Sequence, residues 1–291
     1  MHQMRAIAAV TTCNKAGYER YGRRMLQSFV RHWPREIQLY FYAEDFSPEV
    51  QNSRVFVLDL LTSCPDLAAF KERHRENLCA HGRPPPLSRV VLKHKKRKPG
   101  TAICLPKLKI RWVKGRSYLW EAVRFSHKMF AIFDAVERCG ADVLFWVDAD
   151  VFTFADVPLG YLDSLVPGTC LLSFLSRPNY SECGFVGYNL RHPAIHTFMA
   201  SFKRLYTDDT LFMEKQYHDS WLFDVLRRKL ESVGYETHDI ADGLGARGGH
   251  VFINCSLGKY MDHAKGGRWT RGASREAELF APREEAYWRA R

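Results

Sequence analysis

The sequence predicts an α/β fold of one domain, a mostly parallel central sheet flanked by helices, with a basic loop insertion at about residues 71–116. Three observations carry this reading. Strand and helix signals alternate along the first sixty residues in a β-α-β-β rhythm. A strongly amphipathic helix pattern precedes Gly140. Directly after it comes an unbroken apolar run, residues 143–147, bounded by carboxylates, as expected of a central strand buried on both faces.

Residues 6–13 form the first apolar run, which ends in Thr11, Thr12, Cys13 and Asn14. A helical pattern follows over 18–33 and is closed by Pro34. Residues 37–43, rich in aromatics, and 55–60 read as the second and third strands. The rhythm breaks at 81–100, where three prolines (84–86), a run of five basic residues (94–98) and Pro99-Gly100 predict a mobile loop. Regular structure resumes at Trp120. Phe125, Met129, Ile132, Phe133 and Val136 share one helical face, and the helix stops near Gly140. Further strands are predicted over 170–175 and 185–189. Further helices are predicted over 193–206, with Ile195, Phe198, Met199, Phe202 and Leu205 on one face, and over 220–233. A glycine-rich stretch precedes residues 251–254. Without a repeat or a linker, the chain reads as one domain over 1–271 and a charged C-terminal tail over 272–291.

Composition narrows the class. With 291 residues, 46% hydrophobic and 26% charged, the chain is an ordinary globular protein, not a collagen-like, coiled-coil or disordered one. No apolar run approaches the ~20 residues of a transmembrane segment, and the first is too short for a signal-peptide core. The expected location is cytoplasmic. The eight cysteines form no C-x-x-C pair and read as reduced thiols packed as small hydrophobes. Cys64, His74, Cys79, His81, His94 and Cys104 lie near one another in sequence but match no zinc-ligand spacing.

The net charge of +11 is concentrated in one place. Residues 71–116 hold 15 Lys and Arg against Glu72 and Glu76, leaving the rest of the chain slightly acidic. Such a segment is either a solvated loop or a patch that meets a polyanion. Lys93, Lys95, Lys96, Arg97, Lys98, Lys107, Lys109 and Arg111, interleaved with Trp112, Tyr118 and Trp120, suit a nucleic-acid backbone with stacked bases. DNA is therefore one candidate partner, with a flipped hydroxymethylated base as acceptor. An acidic glycan or lipopolysaccharide is the other.

The chemistry centres on Asp148 and Asp150, where the apolar strand emerges at the ligand-binding rim of an α/β sheet. Paired carboxylates there need a metal or a cationic partner, and hard oxygen ligands suit Mg²⁺ or Mn²⁺. The alternative is a solvated turn. Far downstream, His263, Lys265, Gly266, Gly267 and Arg268 combine a metal-ligand nitrogen, cations for phosphate and glycines that admit a close backbone. Arg124 and Lys128 sit one turn apart on the helix before the D-x-D strand, either as ligand contacts or as an ordinary snorkelling pair. Asp219 opens a helix, where it is either a functional carboxylate or an N-cap.

Taken together, these motifs resemble the nucleotide-sugar glycosyltransferases of the GT-A fold. They are most similar to the glycogenin-like group, whose C-terminal loop runs His-x-x-Gly-x-x-Lys-Pro-Trp. His263, Ala264, Lys265 and Gly266 keep the first half; Gly267, Arg268 and Trp269 shorten the second and lack the Lys-Pro pair. The resemblance implies metal-dependent transfer of a sugar from a nucleotide-diphosphate sugar, UDP favoured, to an acceptor hydroxyl, with a tilt toward retention. It implies Mn²⁺ or Mg²⁺ on Asp150 and His263, with Asp148 on the metal or the ribose. Thr11, Thr12, Asn14 and Tyr18 would hold base and ribose, Arg124 and Lys128 the donor, and Lys265, Gly266 or Arg268 the diphosphate. Residues 181–189 would form the acceptor floor. Asp219, facing the anomeric carbon, and Lys128 are the catalytic candidates. A metal-dependent nuclease or nucleotidyltransferase, or a non-catalytic nucleic-acid-binding protein, are the rival classes.

Overall fold

The computed structural model describes residues 4–83 and 116–290. The basic residues from Lys93 to Arg111 that carry the nucleic-acid expectation lie outside the described residues, as do His94, Cys104 and Trp112.

The fold is α/β. Strands β1 (Ile7–Asn14), β2 (Gln38–Glu44), β3 (Val55–Asp59) and β4 (Val143–Val147) run parallel in the order β3-β2-β1-β4. Beside β4 the sheet continues through an antiparallel β7 (Glu182–Asn189), then β6 (Leu172–Leu175) and β8 (Thr237–Asp239). Four of the six pairings in this seven-stranded sheet are parallel, so it is mostly parallel, as the sequence predicts. Two short strands, β5 (Val151–Thr153) and β9 (Met261–His263), pair antiparallel in a small second sheet.

Strand alternation divides the core into two layers. Ala8, Val10, Tyr40, Tyr42, Leu144 and Trp146 face helices α2 (Pro65–Arg73), α3 (Ala122–Arg138), α4 (Ile195–Thr207) and α5 (Asp219–Ser232). Ile7, Ala9, Leu39, Phe41, Val143 and Phe145 face α1 (Arg23–His32) and the C-terminal Val251, Phe252, Ile253 and Leu257. Both faces are buried, which is why β4 reads as an unbroken apolar run. The ends of α1 and α3 follow local rules. Trp33 is extended (ψ 148°) because Pro34 disfavours a helical residue before it, and Gly140 takes φ +58° just past α3.

Two elements differ from the sequence reading. The helix predicted over 18–33 begins as a wide π-turn, Tyr18–Gly22, before α1. That turn lies tight on β1: a Cβ at Gly22 would come within 2.9 Å of Cys13 Sγ. The residues after Arg271, expected as a charged tail, are docked instead. Fully buried Asp262 accepts from Ser274 N (2.8 Å) and Oγ (2.6 Å) and from the Tyr287 hydroxyl (2.6 Å), while buried Trp288 donates to Gly258 O at 2.7 Å. The aromatic ends of Tyr287 and Trp288 bury apolar surface that a charge count of the segment does not register. The seven described cysteines are free thiols, and among the described residues no helix is long and apolar enough to cross a membrane.

Glu44, at the end of β2, ties three elements together. It is buried, ion-pairs with Lys71 of α2 and meets Nδ1 of His127 of α3 at 2.9 Å. Burial pushes its carboxyl up, but His127 and Lys71 more than offset this and bring it down to about 2. Its stabilising contribution is therefore complete above the ordinary glutamate range and declines as pH falls toward 2. Glu44→Gln is expected to lower unfolding free energy by about 2–3 kcal/mol at pH 6. In urea titrations the gap between wild type and variant should narrow at pH 3; a gap independent of pH contradicts the assignment.

Candidate active site

The C-terminal ends of β1 and β4 and the N-terminal end of β7 meet along one edge of the sheet. Parallel register sets Val10 beside Trp146, and antiparallel register sets Val147 beside Phe185. Asp148 leaves β4 with its amide on Gly184 O at 2.9 Å. Two residues on, the chain enters β5, whose Val151 pairs with His263 of β9, and Ala264 N donates to Asp150 O at 3.0 Å. This small sheet closes a separation of 113 residues. His263 Nε2 lies 2.9 Å from Asp150 Oδ1 and 3.6 Å from Asp148 Oδ2.

The imidazole of His263 is completely buried and fits only because residue 184 has no side chain: a Cβ there would lie 2.4 Å from His263 Cε1. Asp148 and Asp150 are partly exposed toward a cleft of about 660 Å³. Burial raises the Asp150 carboxyl, but the adjacent His263 holds it below the usual range, and the same contact holds His263 above its ordinary value despite burial. Beneath it, His250 is neutral, brought down to about 3 by burial and by His263, and its Nε2 donates to His263 O at 3.1 Å.

The donor set suits a divalent cation. One ligand atom from each of Asp148, Asp150 and His263 lies within 4.8 Å of the others, and among the described residues this is the group of three potential ligands that comes together. Two carboxylate oxygens and one imidazole nitrogen make a mixed oxygen–nitrogen donor set of the kind that can hold a divalent metal ion. A neutral imidazole that binds through Nε2 keeps its proton on Nδ1; that atom is buried without a hydrogen-bond partner and faces Glu182 Oε1 at 3.9 Å.

A second charge network shares the cleft. Lys128, buried on α3, reaches Asp219 Oδ2 at 2.8 Å, Asp148 Oδ1 at 3.3 Å and Cys183 O at 2.5 Å, with Nζ 4.8 Å from the Trp146 ring centre. Burial works against its charge, yet Asp148 and Asp219 hold it above the usual lysine range. Burial likewise opposes ionisation of Asp219, and Lys128 keeps it below the usual carboxylate range. Trp146 Nε1 donates to Asp148 Oδ1 at 2.6 Å and fixes that carboxylate. Glu182 is buried, accepts from Lys265 Nζ at 2.7 Å and pairs with Arg177; despite burial, Lys265, His263 and Arg177 hold it well below the ordinary range.

The sequence-predicted residues divide clearly. Asp148, Asp150, Lys128, Asp219, Lys265, Gly266, Arg124, Thr12 and Asn14 all line the cleft. Thr12 is committed to Tyr42 O (2.8 Å), and Asn14 caps Gly17 N (2.8 Å). Arg124 is exposed and pairs with Glu121 at 2.8 Å. Three do not join them. Thr11 is fully buried because strand alternation turns it inward. Tyr18 packs on Phe41 and Phe46 and lines a neighbouring depression. Arg268 turns away to Glu278, with Nε at 2.8 Å. Of the two basic residues considered for the diphosphate, Lys265 is the one at the cleft. Asp219 is the first residue of α5 and not its N-cap, a place taken by His218, and its carboxylate pairs with Lys128. The sequence reading gave no role to Trp146, Arg177, Tyr180 or His218; Glu182 and Gly184 entered it only as part of the 181–189 floor, and Tyr118 only as an aromatic beside the basic segment. The one signal that could have found any of them was Glu182, a charge inside an otherwise apolar strand.

No protein-family model and no curated protein matches the chain. Solved structures similar to it include the apo form of the glycosyltransferase GlyE of Streptococcus pneumoniae TIGR4, with TM-score 0.40 and 13% identity over 80% of this chain and 45% of that one. Apo mouse xyloside xylosyltransferase 1 aligns with TM-score 0.44 and 11% identity over 81% of this chain and 86% of that one. A further GlyE structure gives 0.41 and 13% over 81% and 46%. The chain thus spans less than half the length of GlyE. The seven-stranded sheet flanked by helices is consistent with a GT-A architecture.

Gly184→Ala should push His263 off Asp150 and weaken Mn²⁺ binding by roughly tenfold or more. Titration followed by electron paramagnetic resonance reads this directly; unchanged affinity contradicts the three-residue site.

Proposed function

We propose that the protein is a metal-dependent glycosyltransferase that moves a sugar from a nucleotide-diphosphate sugar to an acceptor hydroxyl. The observation that carries this reading is the convergence, in one cleft, of a divalent-cation donor set with a buried lysine–carboxylate pair. A cation on Asp148, Asp150 and His263 would neutralise charge developing on the leaving diphosphate. Lys265, half-exposed beside that trio, exchanges Glu182 for phosphate oxygens, and Gly266, with open space around it, lets the backbone approach.

Asp219 and Lys128 flank the reacting carbon in this reading. A carboxylate held below its usual range is a weak base, because general bases work best near the ambient pH. Asp219 is better suited to stabilising positive charge at the anomeric carbon, with Lys128 fixing its orientation. That role favours retention of configuration. Thr12 and Asn14, at the end of β1, line the cleft and in this reading would face base and ribose. A two-metal nuclease needs a second cluster of ligands, and the one group found among the described residues would be filled by a single cation. The basic residues behind the DNA reading, Lys93 to Arg111, lie outside the described residues, while Tyr118 and Trp120 lie within them.

Thermal shift with UDP, GDP and CMP tests the donor class. One nucleotide should raise the melting temperature by roughly 3–8 °C at about 100 Kd, and only with Mn²⁺ or Mg²⁺. Asp150→Ala should abolish that rise; a metal-independent rise, or none, removes the proposal. With the matching donor, Asp219→Asn should cut transfer about 10²–10³-fold, measured as release of the nucleoside diphosphate. Activity within about tenfold of wild type would exclude Asp219 from the chemistry.

A further inference from the structure

On the α5 side of the cleft, the metal trio gives way to an aromatic face. Tyr118 and Tyr180 join hydroxyl to hydroxyl at 2.5 Å. Both rings lean on His218, with centroids 5.7 and 4.6 Å away, and Phe125 adds a third at 6.0 Å. Tyr118 is 48% exposed, so its ring is held in place by these contacts while much of it stays open to solvent. His218 is buried, its Nε2 is spent on Gln216 Oε1 at 2.8 Å, and burial lowers its affinity for a proton. It is a scaffold for the rings, and its chain neighbour Asp219 leads directly to Lys128 and the metal trio.

We infer that this face is a subsite for a neutral sugar ring, the acceptor glycoside of the transfer reaction. The assignment of acceptor side rests on the transfer reading; the binding itself does not. One face of a pyranose presents a row of slightly positive C–H groups, which match the negative face of a tyrosine ring, while its rim presents hydroxyls. A tyrosine pair supplies both needs, with an apolar body and hydrogen-bonding tips. The three rings stand at 58–66° to His218, so the face is built from inclined rings and not from a parallel stack. Beside the rings, the Arg177 guanidinium lies 5.9 Å from the Tyr180 ring and is paired with Glu182, while Lys128 is held by Asp148 and Asp219.

Saturation-transfer NMR with a panel of methyl pyranosides, in Mg²⁺ and without donor, tests the inference. At least one glycoside should bind the wild type, with saturation strongest on its ring C–H protons. Tyr180→Ala and Tyr118→Ala should weaken that binding roughly tenfold, and Tyr118→Phe, which keeps the ring, by less. Melting curves verify that each variant is folded. No glycoside bound, binding unchanged in both alanine variants, or binding only of a hydroxymethylated oligonucleotide overturns the inference. Thermal shift with the nucleotides, run in parallel, separates the two readings. A metal-dependent nucleotide shift without glycoside binding sinks the subsite alone; glycoside binding without that shift sinks the transfer reading and leaves a sugar site.

Discussion

The whole cleft depends on one steric allowance. The His263 imidazole occupies the volume that a side chain at position 184 would fill, and from there it meets Asp150. Four strands cooperate to make this possible. β4 delivers the aspartates, β7 contributes the glycine and also holds Asp148 by its backbone, and the β5–β9 pairing fixes His263 in register. A one-residue slip in β9 would turn the imidazole to the opposite face.

Around that point, charges are buried in matched sets. Lys128 serves Asp148 and Asp219, while Glu182 serves Lys265 and Arg177, with the His263 ring beside it. Buried ion pairs of this kind add little net stability, since desolvation cancels much of their attraction. Their concentration at one sheet edge is better explained by function, because such networks hold charge in fixed places before a substrate arrives. Glu44, with Lys71 and His127, repeats the pattern at the end of β2, but there it links helices to the sheet.

Much of this was legible in the sequence, and for identifiable reasons. β4 announced itself because burial on both faces leaves an unbroken apolar run, and α3 because its stripe has helical period. Asp148 and Asp150 stood out as charges against that run. His263 could be connected to them only by resemblance, since nothing local in residues 261–263 signals a pairing with β5. Thr11 was misplaced because a list of polar residues at a strand end ignores which ones alternation turns inward. Arg268 was indistinguishable from Lys265 until Glu278 was seen to claim it. Gly184 was read only as one residue of the 181–189 floor, because its role is to make room for a residue far along the chain. The docking of Tyr287 and Trp288 was hidden by the charges around them.

The most direct measurement is anomalous diffraction from crystals soaked in Mn²⁺. The account expects a single strong peak at the sheet edge, bound by Asp150 Oδ and His263 Nε2 at about 2.0–2.3 Å, with Asp148 in the same shell. A peak elsewhere, or none while His263 remains on Asp150, would contradict it.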